Sequence, residues 1–422
     1  MKITELSETN LTSLIHGKLC QKSPIPSECS IYRVPDRLRS KIECYEPEIV
    51  SIGPFHRGKQ KLQTMEKIKL WYLHCLLNRA PTKETTLECF IEAIGSIEQE
   101  CRGCYAEETN LTDKQFIEMM VVDGCFIIEF FRKASVPEEV RRDKDDPVFN
   151  TSWMAWEITH DLFLLENQLP WPVLDCLFKL TKSNAEGRSL LNLLNSFPLY
   201  VLRTRDDRQI QYKHLLDCLF NSFAETYQVT QADHLSFFKV DPIPSVTELV
   251  QAGVRFETRH EMKSLNITFK DGVMTLPLIQ VSEITLSIFK NLVAFEHCDP
   301  SKVHKLSSYG KVLKDLVNTS KDVDFLVQRK ILKISLSSHD IASLGNWVYN
   351  DAYDYVFLYT DLYREVNAYY RCSRNRWRAI LRRDYFNNPW TSLSVIAAIL
   401  ILLFSLLQTL CSILTYYGCT PS

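Results

Sequence analysis

The sequence predicts a mainly α-helical protein with a small β element (α+β), ending in one transmembrane helix. Three observations predict this. Apolar residues recur at three- and four-residue intervals over several long stretches. One Asp-Gly pair separates two short alternating runs. The final 38 residues, Tyr385–Ser422, contain no Asp, Glu, Lys, Arg or His.

Taken in order, residues 1–26 read as a flexible arm with one amphipathic stretch, closed by Pro24 and Pro26. Residues 47–53 read as a short strand stopped by Gly53-Pro54. From Lys59 to Asn78, Leu62, Met65, Ile68, Leu70, Tyr72, Leu73 and Leu76 share one side, which predicts a helix. Further helices are expected over Thr85–Ala106 and Thr112–Phe131, the second capped by Thr112-Asp113. A charged loop, ASVPEEVRRDKDD, follows at 134–146. Trp153–Gln168 reads as an apolar helix ended by Pro170 and Pro172, with another beginning at Val173. Leu190–Leu194 and His214–Phe220 also carry helical patterns. Asp271-Gly272, flanked by alternating apolar residues, predicts a hairpin over residues 265–279. Helical patterns resume at Ile284–Glu296 and continue, with interruptions, to the C-terminal run.

That run, Thr391–Leu414, is TSLSVIAAILILLFSLLQTLCSIL. At about 1.5 Å per residue it reaches roughly 36 Å, enough to cross a hydrocarbon core of about 30 Å. Fourteen of its positions are Leu, Ile, Val or Phe, which outweigh Gln408 and the scattered Ser and Thr. Trp390, Leu400, Leu403, Gln408 and Leu414 mark the anchor. Six arginines precede it: Arg371, Arg374, Arg376, Arg378, Arg382 and Arg383. No charge follows it, so the positive-inside rule places the bulk of the chain in the cytosol. Phe386, Trp390, Tyr416 and Tyr417 suit the two interfaces. The N-terminus lacks the apolar core of a signal peptide, so a tail-anchored protein is expected. Trp377, Ile380 and Leu381 share one side of the arginine segment. It serves as a topology determinant, and anionic lipid binding is the alternative.

The expected division is an arm at 1–26, a cytosolic domain at 27–370, an Arg-rich juxtamembrane segment at 371–389, a transmembrane helix at 390–415 and a short non-cytosolic tail at 416–422. The chain has 422 residues, 45% of them hydrophobic, which is ample for a real core. A net charge of −2 gives no reason to expect nucleic acid as a partner. Fourteen cysteines at irregular spacings read as reduced thiols in a cytosolic chain. N-x-S/T sequons at Asn10, Asn110, Asn150, Asn266 and Asn318 would stay unmodified there, and so test the topology.

Several blocks together resemble the plant proteins carrying domain of unknown function 247. They are Ile31–Arg39 (IYRVPDRLR), Tyr45–His56 (YEPEIVSIGPFH), Met65-Glu66 with Lys69, Asp161–Pro170 (DLFLLENQLP), Pro244–Val254 (PSVTELVQAGV), Asn291–Glu296 (NLVAFE) and Asp384–Trp390 (DYFNNPW). Phe55-His56-Arg57 departs from the usual Tyr-His-His. The resemblance runs from about residue 27 onward and implies a land-plant protein with a single C-terminal span. It implies no catalytic residues. Some members are proposed as self-incompatibility determinants in grasses, which implies a recognition role.

Beside it, the residues suggest few chemical sites. Glu157, His160, Asp161 and Glu166 form an acid/base cluster on an apolar helix, the basis of an alternative reading as an enzyme. The simpler reading is a helix C-terminus whose amides and carboxylate satisfy backbone groups of neighbouring segments, with Glu166, Asn167 and Gln168 positioning the helix against Arg33-Val-Pro and Arg33, Arg37 and Arg39 pairing the acids. Glu-x-x-His at Glu157/His160 and Glu257/His260 could serve a di-iron site only with both on helices, and residues 254–260 read as strand or loop. Cys101-x-x-Cys104 stands alone, without the second pair zinc needs. Glycine-rich phosphate loops and Gly-x-Ser-x-Gly are absent. No cofactor and no metal are expected. Within the span, Ser394, Ala398, Ser405, Gln408 and Ser412 fall near one face, which suits a homo-oligomer. The sequence therefore predicts a membrane-tethered, non-enzymatic protein-interaction or recognition module, with membrane lipids and an unidentified protein as partners. The membrane is the plasma membrane or the endoplasmic reticulum.

Overall fold

A computed structural model describes residues 8–19, 28–39, 44–79, 83–136, 145–151, 153–182, 189–195, 211–224, 241–259, 265–335, 357–375, 377 and 389–418, without the side chains of 8–11, 224, 389–392, 395, 414 and 416–418. The helices before the sheet region are α1 (Glu8–Lys18), α2 (Gln63–Arg79), α3 (Leu87–Ser96), α4 (Glu98–Gly103), α5 (Asp113–Ala134), α6 (Met154–Asp161), α7 (Trp171–Thr181), α8 (Leu190–Asn195), α9 (Leu215–Ala224) and α10 (Val246–Gln251). Strands β1 (Arg255–Arg259), β2 (Thr268–Lys270), β3 (Val273–Pro277) and β4 (Ile279–Val281) follow. Then come α11 (Glu283–Cys298), α12 (Lys305–Leu316), α13 (Ser320–Gln328), β5 (Leu332–Ile334), α14 (Thr360–Arg371) and α15 (Pro389–Gly418). The fold is mainly helical with small sheets, as the periodicity predicts.

Two compact units emerge. One comprises Met1–Thr226 with Glu283–Leu306; the other comprises Tyr227–Ser282 with Ser307–Ser422.

In the first unit α5 is the central strut. Its capping box at Thr112 and Gln115 starts the helix, as Thr112-Asp113 suggests. From Met119 to Arg132 every side chain is buried, because α2, α3 and α7 pack around it. Gly124 permits the close crossing with α7: a Cβ there would stand 2.5 Å from Leu177 Cδ1. Tyr72, Phe126, Phe130, Phe131 and Phe163 fill the interior.

The second unit holds both sheets. β2 and β3 pair antiparallel across Asp271-Gly272, whose φ angles of 51° and 74° suit a two-residue hairpin turn. β1 joins β3 in parallel, giving the order β1-β3-β2. β4 and β5 form a second, parallel pair. Tyr363 Oη donates to Asp315 Oδ2 at 2.8 Å, tying α14 to α12.

Three local expectations need correction. The helix predicted over Thr85–Ala106 is two helices, broken at Ile97, whose φ of −112° and ψ of 8° end α3 just after Gly95-Ser96. The helix predicted over Trp153–Gln168 stops at Asp161, and residues 162–168 turn instead. Residues 47–53 form no strand, because their N–H groups bond side-chain oxygens rather than a neighbouring strand.

Candidate functional site

Among the described residues the densest polar chemistry lies in the first unit, where residues 31–39 and 44–56 line the helical core. Asp161, at the end of α6, is wholly buried and accepts the N–H groups of Glu48, Ile49 and Val50, each at 2.9 Å. Asn167 continues this pattern. Its Oδ1 accepts Ile52 N–H at 2.7 Å, and its Nδ2 donates to Val50 O and Asp161 O. Gly53 N–H donates to Asp123 Oδ2 at 2.9 Å. Side chains thus replace a β partner residue by residue.

Gly53 marks the tightest point. Its φ is +71°, and a Cβ would lie 2.7 Å from Gln168 O, so a larger residue meets both strain and a clash. Gln168 is fully engaged. Its Nε2 donates to Leu162 O and Leu164 O, closing the turn after α6, and its Oε1 accepts Leu216 N–H.

Lys69 and Asp123 form a buried ion pair at 2.5 Å, each 1% exposed. Lys69 Nζ also donates to Ser51 O at 2.9 Å and lies 2.7 Å from Glu66. Burial pushes the Asp123 carboxyl above its usual range, and Lys69 opposes that rise.

Glu166, 1% exposed, accepts Val34 N–H at 2.7 Å and pairs with Arg39. Arg33 approaches it at 3.6 Å, while bonding Glu107 and stacking over Phe55. His56 Nε2 stands 3.3 Å from Glu166 Oε2, off the direction a hydrogen bond requires. Burial alone would raise the Glu166 pKa; His56, the Val34 N–H and Arg39 outweigh it and hold the carboxyl below its usual range. Two of the three arginines expected to pair these acids therefore do so. Arg37 instead lies in the electrostatic surroundings of His297 and Cys298.

Of the acid/base cluster, three members stay together and Glu166 stands apart. His160 and Asp161 are neighbours at 3.3 Å, and Glu157 lies within their field, its pKa raised by burial and by Asp161. Glu166 is spent on residues 33–39. Ser287 Oγ donates to Cys44 O, so its lone pair accepts from His160 Nε2 at 2.7 Å. Asn291 completes the arrangement, donating to Cys44 O and accepting Leu165 N–H. With three backbone donors on Asp161 and this chain on His160, the geometry suits holding a segment in place better than moving a proton.

Sequence reasoning from the residues missed Lys69, Asp123, Ser287, Asn291 and His214 as partners. Lys69 offered a signal: it falls between Met65 and Tyr72 on the buried stripe of α2. His214, fully buried, accepts Asp217 N–H at Nδ1, so its Nε2–H donates to Ser30 O at 3.0 Å, and the ring is neutral. Burial lowers its pKa to about 4.

Cys101 and Cys104 are both free thiols, and burial raises both pKa values, that of Cys104 to about 11. Glu257 lies on β1, a strand, and His260 lies outside the described residues. Among the described residues no three His, Cys, Asp or Glu side chains converge as metal ligands.

The other candidate is α15, thirty residues or roughly 45 Å long. Its stretch Ile396–Ile413 is long and apolar enough to cross a membrane, and none of it is buried against protein. Leu400 and Leu403 are about half exposed, 48% and 52%. Arg371 pairs with Asp241 at 2.9 Å, and Arg374 is exposed. Arg376, Arg378, Arg382 and Arg383 lie outside the described residues, as do the side chains of Trp390 and Leu414.

Comparison with known proteins gives a consistent result. The model of a family described as "Plant protein of unknown function", DUF247, matches residues 31–404. A UPF0481 protein of Arabidopsis thaliana is 28% identical, the match covering 92% of this chain and 87% of the relative. A putative UPF0481 protein from the same plant is 23% identical, covering 90% and 89%. No solved structure matches.

Proposed function

The chain belongs to the DUF247 family of plant proteins of unknown function, and from that premise we propose that it is a membrane-tethered, non-enzymatic protein-interaction or recognition module. The observation that carries this reading is α15. Its eighteen-residue stretch Ile396–Ile413 has no protein cover. In water so much exposed Leu and Ile would be costly; in hydrocarbon it is stabilising. The arginines before it favour a cytosolic domain, and membrane lipids are the anchor's partners. What supports the non-enzymatic part is that Asp161, Asn167, Gln168 and Glu166 are engaged in holding backbone.

Alkaline carbonate extraction of the full chain tests the anchor: it stays in the pellet, and removing 390–415 releases it. Protease protection tests orientation, together with the sequon at Asn110, which is exposed. Full digestion of the domain from the cytosolic side, with Asn110 unglycosylated, is expected; a glycosylated Asn110 would reverse the topology. Proximity labelling at native expression should recover a reproducible protein partner, and repeated failure counts against the interaction role.

A further inference from the structure

The side chains of α15 divide into two faces, and the division concerns hydrogen bonding as well as size. Ser394, Ala398, Ile401, Ser405, Gln408 and Ser412 follow one another at intervals of four, three, four, three and four residues. That is a 3.5-residue repeat, the spacing at which one stripe stays against a partner helix in a left-handed crossing. Leu400, Leu403, Leu407 and Leu410 occupy the opposite side.

Three hydroxyls of the helix bond its own backbone. Thr409 Oγ1 donates to Ser405 O, Ser412 Oγ to Gln408 O and Thr415 Oγ1 to Cys411 O, at 2.6–2.8 Å. The Gln408 carboxamide and the Ser405 hydroxyl take no partner among the described residues. They are three apart and share the stripe. Gln408 lies five residues, roughly 7–8 Å, inside the end of the apolar stretch. A carboxamide left unpaired in hydrocarbon is costly.

We propose that α15 pairs in the membrane with α15 of a second copy of this chain, along the Ser394–Ser412 stripe, with Gln408 bonding Gln408 across a two-fold axis. This rests on the anchor reading. The carboxamide is both donor and acceptor, so it complements its own image. Copies inserted with one topology are parallel, which brings like positions together. Ala398, Ser405 and Ser412 are small enough to let the backbones approach.

Full chains bearing donor or acceptor fluorescent proteins at the N-terminus, co-expressed in plant cells, test this by energy transfer. Gln408→Leu should weaken self-association about 3- to 30-fold, the range for one interhelical side-chain hydrogen bond. Gln408→Asn should retain most of it, Ser405→Leu should weaken it by steric separation, and Leu407→Val on the opposite face should leave it unchanged. Transfer that is equal in Gln408→Leu, Ser405→Leu and the unsubstituted chain overturns the pairing. A chain that resists carbonate yet shows no transfer overturns the pairing alone. A chain released by carbonate overturns the anchor and the pairing together.

Discussion

Residues 31–39 and 44–56 on one side and the helix α15 on the other solve opposite problems. Around residues 31–39 and 44–56 the chain buries charge: Asp123, Asp161 and Glu166 are each 1% exposed or less, within an apolar core. Along α15 the chain exposes oil: Ile401, Leu402 and Phe404 are each more than 60% exposed. Backbone bonding inverts as well. Residues 48–50, 52 and 53 send their N–H groups to side chains 70 to 115 positions away, whereas α15 satisfies its backbone internally. The first arrangement depends on every partner being present, and the second on composition and length alone. Single substitutions should therefore damage the first far more than the second.

The largest effect is expected from Asp161→Ala. It orphans three N–H groups at about 1–3 kcal/mol each, against a typical total stability of roughly 5–15 kcal/mol. Thermal denaturation of the expressed domain should show severe loss, with Asp161→Asn intermediate. Next is Lys69→Met, which leaves Asp123 buried without its cation. A loss of about 3–5 kcal/mol is expected, read from the denaturant midpoint, and the double change with Asp123→Leu should recover part of it.

For α15 the matching insult is Leu403→Arg near the centre of the stretch, costing about 2.5–3.5 kcal/mol of insertion energy. Fourteen strongly apolar residues at roughly 0.3–0.6 kcal/mol each exceed that, so a reduced but substantial carbonate-resistant fraction should remain. Complete release would show that the helix holds the membrane less well than its composition implies.

Acid separates the two regions further. His214 titrates near 4 when folded and near 6.5 when unfolded. The unfolded chain therefore binds more protons between those values. Stability is fully present above pH 6.5 and falls as pH drops toward 4, by on the order of 3 kcal/mol from this group. Glu166, held below its usual range, adds a loss that begins only below about pH 4.3. Residues 385–422 carry no acid, base or histidine, so carbonate-independent membrane retention, measured by flotation, should not change between pH 7 and 5. The smallest effect is expected at Arg371→Ala. Its pair with Asp241 is exposed on both sides, 69% and 73%, and should be worth less than about 0.5 kcal/mol in a melting experiment.

Particular residues show how much was legible in advance. Thr112 and Gln115 form their capping box, and Asp271-Gly272 turns its hairpin, because both motifs act over a few residues. Glu166, Asn167 and Gln168 read as backbone partners from their amides and carboxylate beside an apolar run, and they bond the backbone of Val34, Ile52 and Leu216. The expected strand at 47–53 and the extension of α6 to Gln168 were not found. Both errors have one source: Asp161, Asn167 and Gln168 compete with regular backbone pairing from outside the local window.

By itself, then, the sequence determined the helical class, the hairpin, the capped start of α5 and the length and apolarity of α15, all of which depend on spacing within one segment. Tertiary structure alone decided that Lys69 and Asp123 would meet, that residues 48–53 would bond side chains instead of a strand, and that His214 would be buried and neutral. Those outcomes require atoms distant in sequence to be brought together and sealed from water, where a missing partner becomes expensive.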